Sequence, residues 1–410
     1  MGKLLSKDHF EITTGENILY LNQKANEAKA KGYKVINGTT GMLFDESGHL
    51  VDFPLVDKVI AESNTEAIKK YGPVSGGKEF ADAVMDWLFE NVDYSKQNHF
   101  VMGSFGGTGA LTLSFRNYLD RGQGAILPSI RWSNYDSIAE QTGGRVLEYR
   151  LFNENNGLDI ESIKNRVNES IEECGRAFLL INDPCQNPTG YTIKVEEWKE
   201  LLAFLVKASE RGSIVLLDDI AYMNYSKQSY DTIFQMILDS LNENFMAIFT
   251  FSASKTLSIY GLRGGAAIAF SPSKSVIDDF ERAVAGTARS IWSSTSTIAT
   301  HVITENLNTH EKREILREKL TNYISILLER ATLFTNEADE VGLPYYPYDC
   351  GFFILIPCVN DREVVDELIK DNVYVVPFNG GIRVALSCLT LDEIKGLPIK
   401  IKEAYDKFNK

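Results

Sequence analysis

The chain has 410 residues, and at about 150 residues per domain that length gives a prior of two to three domains. It is 44% hydrophobic and 24% charged, which excludes a largely disordered chain. The 42 basic residues against 56 acidic ones leave a net charge of −14, a field that repels nucleic acid and anionic membrane surfaces, so neither is an expected partner. An anionic small molecule stays compatible, because a few local arginines can reverse the sign inside a cleft.

No apolar run approaches the roughly 18–20 residues needed to span a bilayer. The amino-terminal residues show no long apolar core followed by a cleavage site, so we do not expect secretion. Gly2 and Ser6 fit the loose myristoylation pattern, which is too short and degenerate to carry weight. The five cysteines (Cys174, Cys185, Cys350, Cys358, Cys388) form no Cys-x-x-Cys pair. An odd, sparse set of this kind reads as reduced thiols and a cytoplasmic location. The five histidines are scattered without metal-ligand spacing, and no metal is expected.

In chain order, residues 100–102 read as a short strand. They lead into the glycine-rich turn Gly103-Ser104-Phe105-Gly106-Gly107-Thr108-Gly109-Ala110 and then a helix. Further strands are predicted at 125–127, 178–181, 214–217, 247–251 and 266–270, with a helix over 195–208. Continuous apolar strands separated by helices indicate a parallel sheet covered on both faces, with its ligand at the carboxyl ends of the strands. After Thr300 the composition shifts. Residues 305–336 read as one charged helix, a connector, followed by strand-like pieces at 352–356, 374–376 and 383–386. We find no internal repeat and no low-complexity linker. The pattern predicts an α/β chain with a large domain over 50–305 and a smaller α+β domain built from both chain ends, 1–49 and 306–410.

Four strand ends carry candidate chemistry. Glycines 103–109 let backbone N–H groups approach an anion at a helix start, although the Walker ending is missing and such a turn is most often only a turn. Asp218 and Asp219 close the 214–217 strand, and for Asp218 helix capping is expected. The segment from Asn182 to Gly190 is by itself simply a good turn. Ser252-Ala253-Ser254-Lys255, with Arg263 eight residues on, is more telling. A lysine at this edge with cationic neighbours loses its proton readily and can attack a carbonyl. The nearby serine and arginine suit a phosphate. Together they suggest a phosphorylated aldehyde held as a Schiff base, the description of pyridoxal phosphate.

Taken with Asn187-Pro188-Thr189-Gly190, Asp219-x-x-Tyr222 and Arg383, these motifs occur in an order that resembles the fold type I pyridoxal phosphate-dependent aminotransferases, in the aspartate and aromatic aminotransferase group. The resemblance runs from about Asn37 to Arg383. It implies a homodimer with shared active sites that moves an amino group between an L-amino acid (aspartate, glutamate or aromatic) and a 2-oxo acid such as 2-oxoglutarate by a ping-pong mechanism. The alternative within the same fold is a β-eliminating lyase.

Position by position, the resemblance implies that Lys255 binds the cofactor covalently and shuttles the α-proton. Asp219 pairs with the pyridinium nitrogen, and Asn187 and Tyr222 bond its phenolic oxygen. Gly107, Thr108, Ser252 and Arg263 form the phosphate cradle, joined from the neighbouring subunit by Tyr71. Trp132 stacks on the ring, Arg383 grips the substrate α-carboxylate and Gly41 belongs to a segment that closes over the substrate. Arg289 matches an arginine donated by the partner subunit to a distal carboxylate. The sequence departs from the family where Tyr135 and Asn182 replace histidines, Gly106 replaces a serine, and Trp292-Ser293-Ser294-Thr295 replaces Tyr-Ser-Asn-Pro. Those changes bear on ring tuning and substrate preference.

Overall fold

The central strands are apolar at nearly every position, so they hold together only where both faces are covered. The structure, a computed structural model, describes Leu4, residues 18–378 and residues 380–409. Gly2 and Ser6 of the acylation pattern lie outside the described residues, as does most of the first 17 positions.

The described strands are β1 (Ile36–Asn37), β2 (Asn98–Phe105), β3 (Gly124–Pro128), β4 (Arg145–Tyr149), β5 (Arg176–Ile181) and β6 (Ser213–Asp219). They continue with β7 (Phe245–Ser252), β8 (Gly264–Ser271), β9 (Phe353–Pro357), β10 (Val373–Tyr374), β11 (Val376–Pro377) and β12 (Gly381–Ala385). Seven of them form one sheet in the order β2-β8-β7-β6-β5-β3-β4. Only β8 runs antiparallel to its neighbours there, so the sheet is mostly parallel.

Side chains alternate between the two faces, as the two-residue period of a strand requires. Leu179, Leu216 and Phe249 join one apolar cluster with Trp198, Leu201 and Leu205 of helix Val195–Ala208. Phe178, Leu180, Leu217 and Ile248 join the other with Ala110, Leu113 and Phe115 of helix Gly106–Tyr118. The carboxyl ends of β2, β3, β5, β6 and β7 share one edge. Because β8 runs the other way, its amino end meets that same edge and delivers Arg263.

A second, three-stranded antiparallel sheet has the order β11-β12-β9, and β1 pairs with β10 in parallel. That pairing ties the chain's early segment to its carboxyl-terminal part. Gly38 N donates to Tyr374 O at 2.8 Å, Ala385 N to Gly38 O at 2.9 Å and Phe44 N to Ser387 O at 2.9 Å.

Several expectations need correction. Residues 305–336 are not one helix: helix Thr297–Leu307 ends, and a new helix runs from His310 to Val341. Thr309 caps it, its hydroxyl accepting from Lys312 N, and Gly342 at φ 66° stops it. Charge and periodicity run through this break, which only the cap marks. Gly103, Ser104 and Phe105 belong to β2 rather than to a turn, since that strand pairs with β8 along its whole length. The piece at 374–376 is split between β10 and β11. The edge strand β4 was missed because its exposed and buried residues lack a continuous apolar run.

Arg330, wholly buried in the long helix, fastens the early segment from within. Its Nε and Nη2 donate to Glu46 Oε1 at 2.9 and 2.6 Å, Nη2 to Phe44 O at 2.9 Å and Nη1 to Ser387 O at 3.1 Å. Truncation orphans those buried carbonyls and opens a cavity. Arg330→Ala is therefore expected to lower the free energy of unfolding by about 3 kcal/mol in chemical denaturation. A loss below about 0.5 kcal/mol would show that the early segment is held by its strand pairing alone.

Candidate active site

At the carboxyl edge of the large sheet the strand ends surround a pocket of about 270 Å³. Its lining includes Gly41, Gly107, Thr108, Trp132, Asn187, Asp219, Tyr222, Ser252, Lys255, Arg263 and Arg383. Eleven of the residues singled out from sequence thus converge from seven stretches of chain. Tyr71 and Arg289 are not in the lining: Tyr71 is 92% exposed, and Arg289 is exposed with Nη1 donating to Ser293 Oγ at 2.6 Å.

Lys255 lies on the short helix that follows β7, directly after the strand end. Its Nζ donates to Gly41 O at 2.5 Å and sits 4.9, 5.3 and 5.4 Å from the ring centres of Tyr260, Tyr222 and Phe352. The surrounding rings remove water, and the positive charges of Arg383 and Arg263 oppose a third. Desolvation first, then those two charges, bring the ammonium down to a pKa of about 7. An amine of this kind has a substantial free-base fraction at neutral pH and is a competent nucleophile.

Asp219, at the end of β6, is buried at the base of the pocket. Its Oδ2 accepts from Tyr135 Oη at 2.6 Å and its Oδ1 from Thr250 Oγ1 at 3.0 Å. Burial raises its pKa, while these donors favour the charged form and work against burial. Asn182 Nδ2 donates to the Asp219 backbone carbonyl at 2.7 Å, and Asn182 Oδ1 accepts from Asn187 N at 2.9 Å. The two departures from the family pattern, Tyr135 and Asn182, therefore keep hydrogen bonds to this residue and its neighbours. Asp218 is not a helix cap. Its side chain faces the other side of β6, where Oδ2 accepts from Tyr230 Oη at 3.0 Å, beside Asp183.

Arg383 is buried on β12, its guanidinium 4.4 Å from the Phe353 ring centre and Nη2 donating to Thr39 O at 2.9 Å. Nε has no partner. Gly41 faces this group from the early segment, and a Cβ there would meet Phe353 Cζ at 2.7 Å. Arg263 Nη1 donates to Ser254 Oγ at 3.1 Å, beside the amino end of helix Gly106–Tyr118. Gly106, at φ 68°, holds a left-handed backbone that favours glycine, and a Cβ there would press on the tip of Arg263, 2.7 Å from Nη2. Helix N–H groups, Thr108, Ser252, Ser254 and Arg263 together suit a phosphate.

Sequence reasoning missed Tyr260, Phe353 and Met42, which also line the pocket. Tyr260 Oη accepts from Leu43 N at 2.9 Å and so ties the early segment to the floor near Lys255. An inward-facing aromatic looks like core in a sequence, and five residues after Lys255 gave the only hint. Trp132 does line the pocket, its ring edge-on to Tyr135 at 5.5 Å.

The sequence model of a family described as aminotransferase class I and II matches residues 33–397. An aspartate aminotransferase of Pseudomonas aeruginosa is 26% identical over 328 residues, 76% of this chain and 77% of that protein. The crystal structure of an aminotransferase from Anaerococcus prevotii is 30% identical and superposes with a TM-score of 0.93, covering 98% of this chain and 99% of that one. An aromatic-amino-acid aminotransferase from Burkholderia pseudomallei, covalently bound to pyridoxal phosphate, shares the fold with a TM-score of 0.77 at 19% identity, covering 97% and 100% of the two chains. The expected fold class, fold type I, is borne out.

The pocket's own chemistry fits pyridoxal phosphate. It offers an amine for the aldehyde, a buried carboxylate for the ring nitrogen and an anion cradle for the phosphate. The side-chain Oδ1 of Asn187 is buried without a partner among the described residues, so that amide has hydrogen-bonding capacity to offer a ring substituent. When the protein without cofactor is mixed with pyridoxal phosphate, the capture rate is expected to rise with pH and reach half its plateau near 7, because only the free base attacks. Removing a repelling charge in Arg383→Ala should move that midpoint upward. A wild-type midpoint near the 10.5 of ordinary lysine would contradict the desolvation argument.

Proposed function

The chain belongs to the aminotransferase class I and II family, and on that premise we propose how this pyridoxal phosphate-dependent aminotransferase divides the work among its residues and which substrates it takes. The observation that carries the reading is one pocket holding a desolvated amine, a buried carboxylate and a buried guanidinium at Lys255, Asp219 and Arg383. When bound, pyridoxal phosphate supplies a carbonyl for covalent exchange of amines and a ring that accepts electrons.

Lys255 would hold the cofactor covalently through Nζ and, when that amine is free, would take the α-proton from the substrate. A neutral amine near pH 7 suits both duties. Asp219, which accepts hydrogen bonds from Tyr135 and Thr250, would pair with the ring nitrogen and favour a proton there. Tyr222 and Asn187 would hydrogen-bond the phenolic oxygen, and Trp132 would cover the ring face. Gly107, Thr108, Ser252 and Arg263 would hold the phosphate, and Tyr71 would reach it from a partner subunit.

Arg383 binds the α-carboxylate with two parallel hydrogen bonds, which orients the α C–H toward Lys255. The early segment around Gly41 and the ring of Phe353 exclude water above it. The cycle is ping-pong: an amino acid enters and leaves as its 2-oxo acid, and a second 2-oxo acid then takes up the nitrogen.

We read the chain as a large domain, 50–305, and a smaller one from 1–49 and 306–410. The β1–β10 pairing and the bonds from Gly38 and Phe44 support that division. A cytoplasmic homodimer fits the sequence: Tyr71 and Arg289, both exposed and away from their own pocket, are available to a second subunit's site. Lys255, Arg263 and Arg383 are the only cations in the described lining. A reader for a distal carboxylate therefore has to come from elsewhere, and Arg289 is our candidate. Aspartate, glutamate and 2-oxoglutarate are then the favoured substrates, with aromatic amino acids also accepted.

Half-reactions test this directly. The loaded enzyme is mixed with aspartate, glutamate, tyrosine or phenylalanine and no acceptor, and the cofactor's absorbance change and the released 2-oxo acid are followed. Arg289→Ala is expected to lower kcat/KM for the acidic donors by about 100-fold, the value of a charged hydrogen-bonded pair, and for the aromatic donors by less than about threefold. Equal losses for both classes would remove Arg289 from substrate recognition. Release of ammonia and pyruvate from a β-substituted amino acid without acceptor, in place of transamination, would favour the lyase chemistry.

A further inference from the structure

Away from the cofactor pocket, the fold brings two thiols together. Cys185 and Cys350, 165 residues apart in sequence, are both buried, with their sulfurs 3.2 Å from each other. Cys185 lies in the turn after β5, two residues before Asn187. Cys350 lies just before β9, two residues before Phe352. The two segments are already tied: Asp349 N and Cys350 N both donate to Gly190 O, at 2.9 and 3.1 Å, and Thr192 N donates to Asp349 Oδ2 at 2.9 Å. Gly351 permits the approach. It has φ 99°, and a Cβ there would lie 2.6 Å from Cys185 Cβ.

The remaining cysteines meet oxygen or nitrogen instead of sulfur. Cys174 Sγ donates to Ser170 O at 3.1 Å, Cys388 Sγ to Asn37 O at 3.1 Å, and Cys358 Sγ accepts from Asn409 Nδ2 at 3.4 Å. Cys350 also borders a second cavity of about 190 Å³, shared with Thr192, Lys227 and Tyr230.

We infer that Cys185 and Cys350 form an oxidisable dithiol site that a hydroperoxide closes to a disulfide. Cys350 is the attacking partner. Donation from the Cys185 S–H lowers its thiol to about 7, whereas burial keeps the proton on Cys185. The Cys350 thiolate attacks one peroxide oxygen, the O–O bond breaks, and Cys350 becomes a sulfenic acid while the other oxygen leaves as water with the proton Cys350 gave up. Cys185 sulfur then attacks Cys350 sulfur. The S–O bond breaks, and that oxygen leaves as a second water with the Cys185 proton. Two thiols and one hydrogen peroxide give one disulfide and two waters, a two-electron balance. The sulfurs need approach by only about 1 Å to reach bonding distance. The product would link the turn presenting Asn187 to the segment presenting Phe352 and Phe353, whose rings face Lys255 and Arg383.

The loaded wild-type enzyme is treated with stoichiometric hydrogen peroxide, quenched, denatured and titrated for thiols. Its count is expected to fall from five to three and return to five with dithiothreitol. A non-reducing digest should contain one cross-linked pair of peptides, holding Cys185 and Cys350. Cys185→Ser should form no such pair and should trap Cys350 as a sulfenic acid that a dimedone-type reagent labels. The proposal is overturned if the wild-type digest shows both cysteines unlinked after oxidation, or if the disulfide that forms involves Cys174, Cys358 or Cys388.

Discussion

The account rests on one destabilised charge. An ammonium at Lys255 would stand at the end of a fully buried strand, among three aromatic rings and near two guanidinium groups, and it sheds its proton in response. The large sheet places this lysine at its carboxyl edge, where aromatic rings replace much of the water around it. Five strand ends and the reversed start of β8 meet at one edge, and the early segment covers it from above through Gly41 O, Tyr260 and Phe353.

The same economy of placement separates neighbouring acids. Asp218 and Asp219 are adjacent on β6, so a strand's alternation sends them to opposite faces. Asp219 faces the pocket and is held by Tyr135 and Thr250, while Asp218 turns away toward Tyr230 and Asp183. Burial raises the pKa of both, and geometry alone decides which can meet a bound ring. Tyr135, from the turn and helix after β3, supplies the phenol that donates to this carboxylate.

Much of the fold was legible because a strand buried on both faces must be apolar throughout. Strands β5 through β8 stood out for that reason, and so did the polar residues just beyond them. The edge strand β4 did not, because exposure on one side breaks its apolar run. The helix break at Thr309 was hidden under an uninterrupted charge pattern, and only a side-chain cap reveals it. In the pocket, the lysine with its hydroxyl and arginine neighbours could be read from chemistry, while the aspartate and glycine positions, each with a bland explanation alone, were legible through the order of the motifs. Tyr260 and Phe353 could not, because an aromatic that lines a pocket and one that fills a core look alike. The contact between Cys185 and Cys350 was invisible for a different reason: 165 residues of chain separate them, and only the tertiary fold closes that distance.

The central claim concerns a single nitrogen, and it can be tested without kinetics. The loaded enzyme is reduced with borohydride, which makes a bond between lysine and cofactor permanent, then digested and mapped by mass spectrometry. The account predicts one phosphopyridoxyl group per chain, on the peptide containing Lys255. A label on any other lysine, or none after full loading, would contradict it.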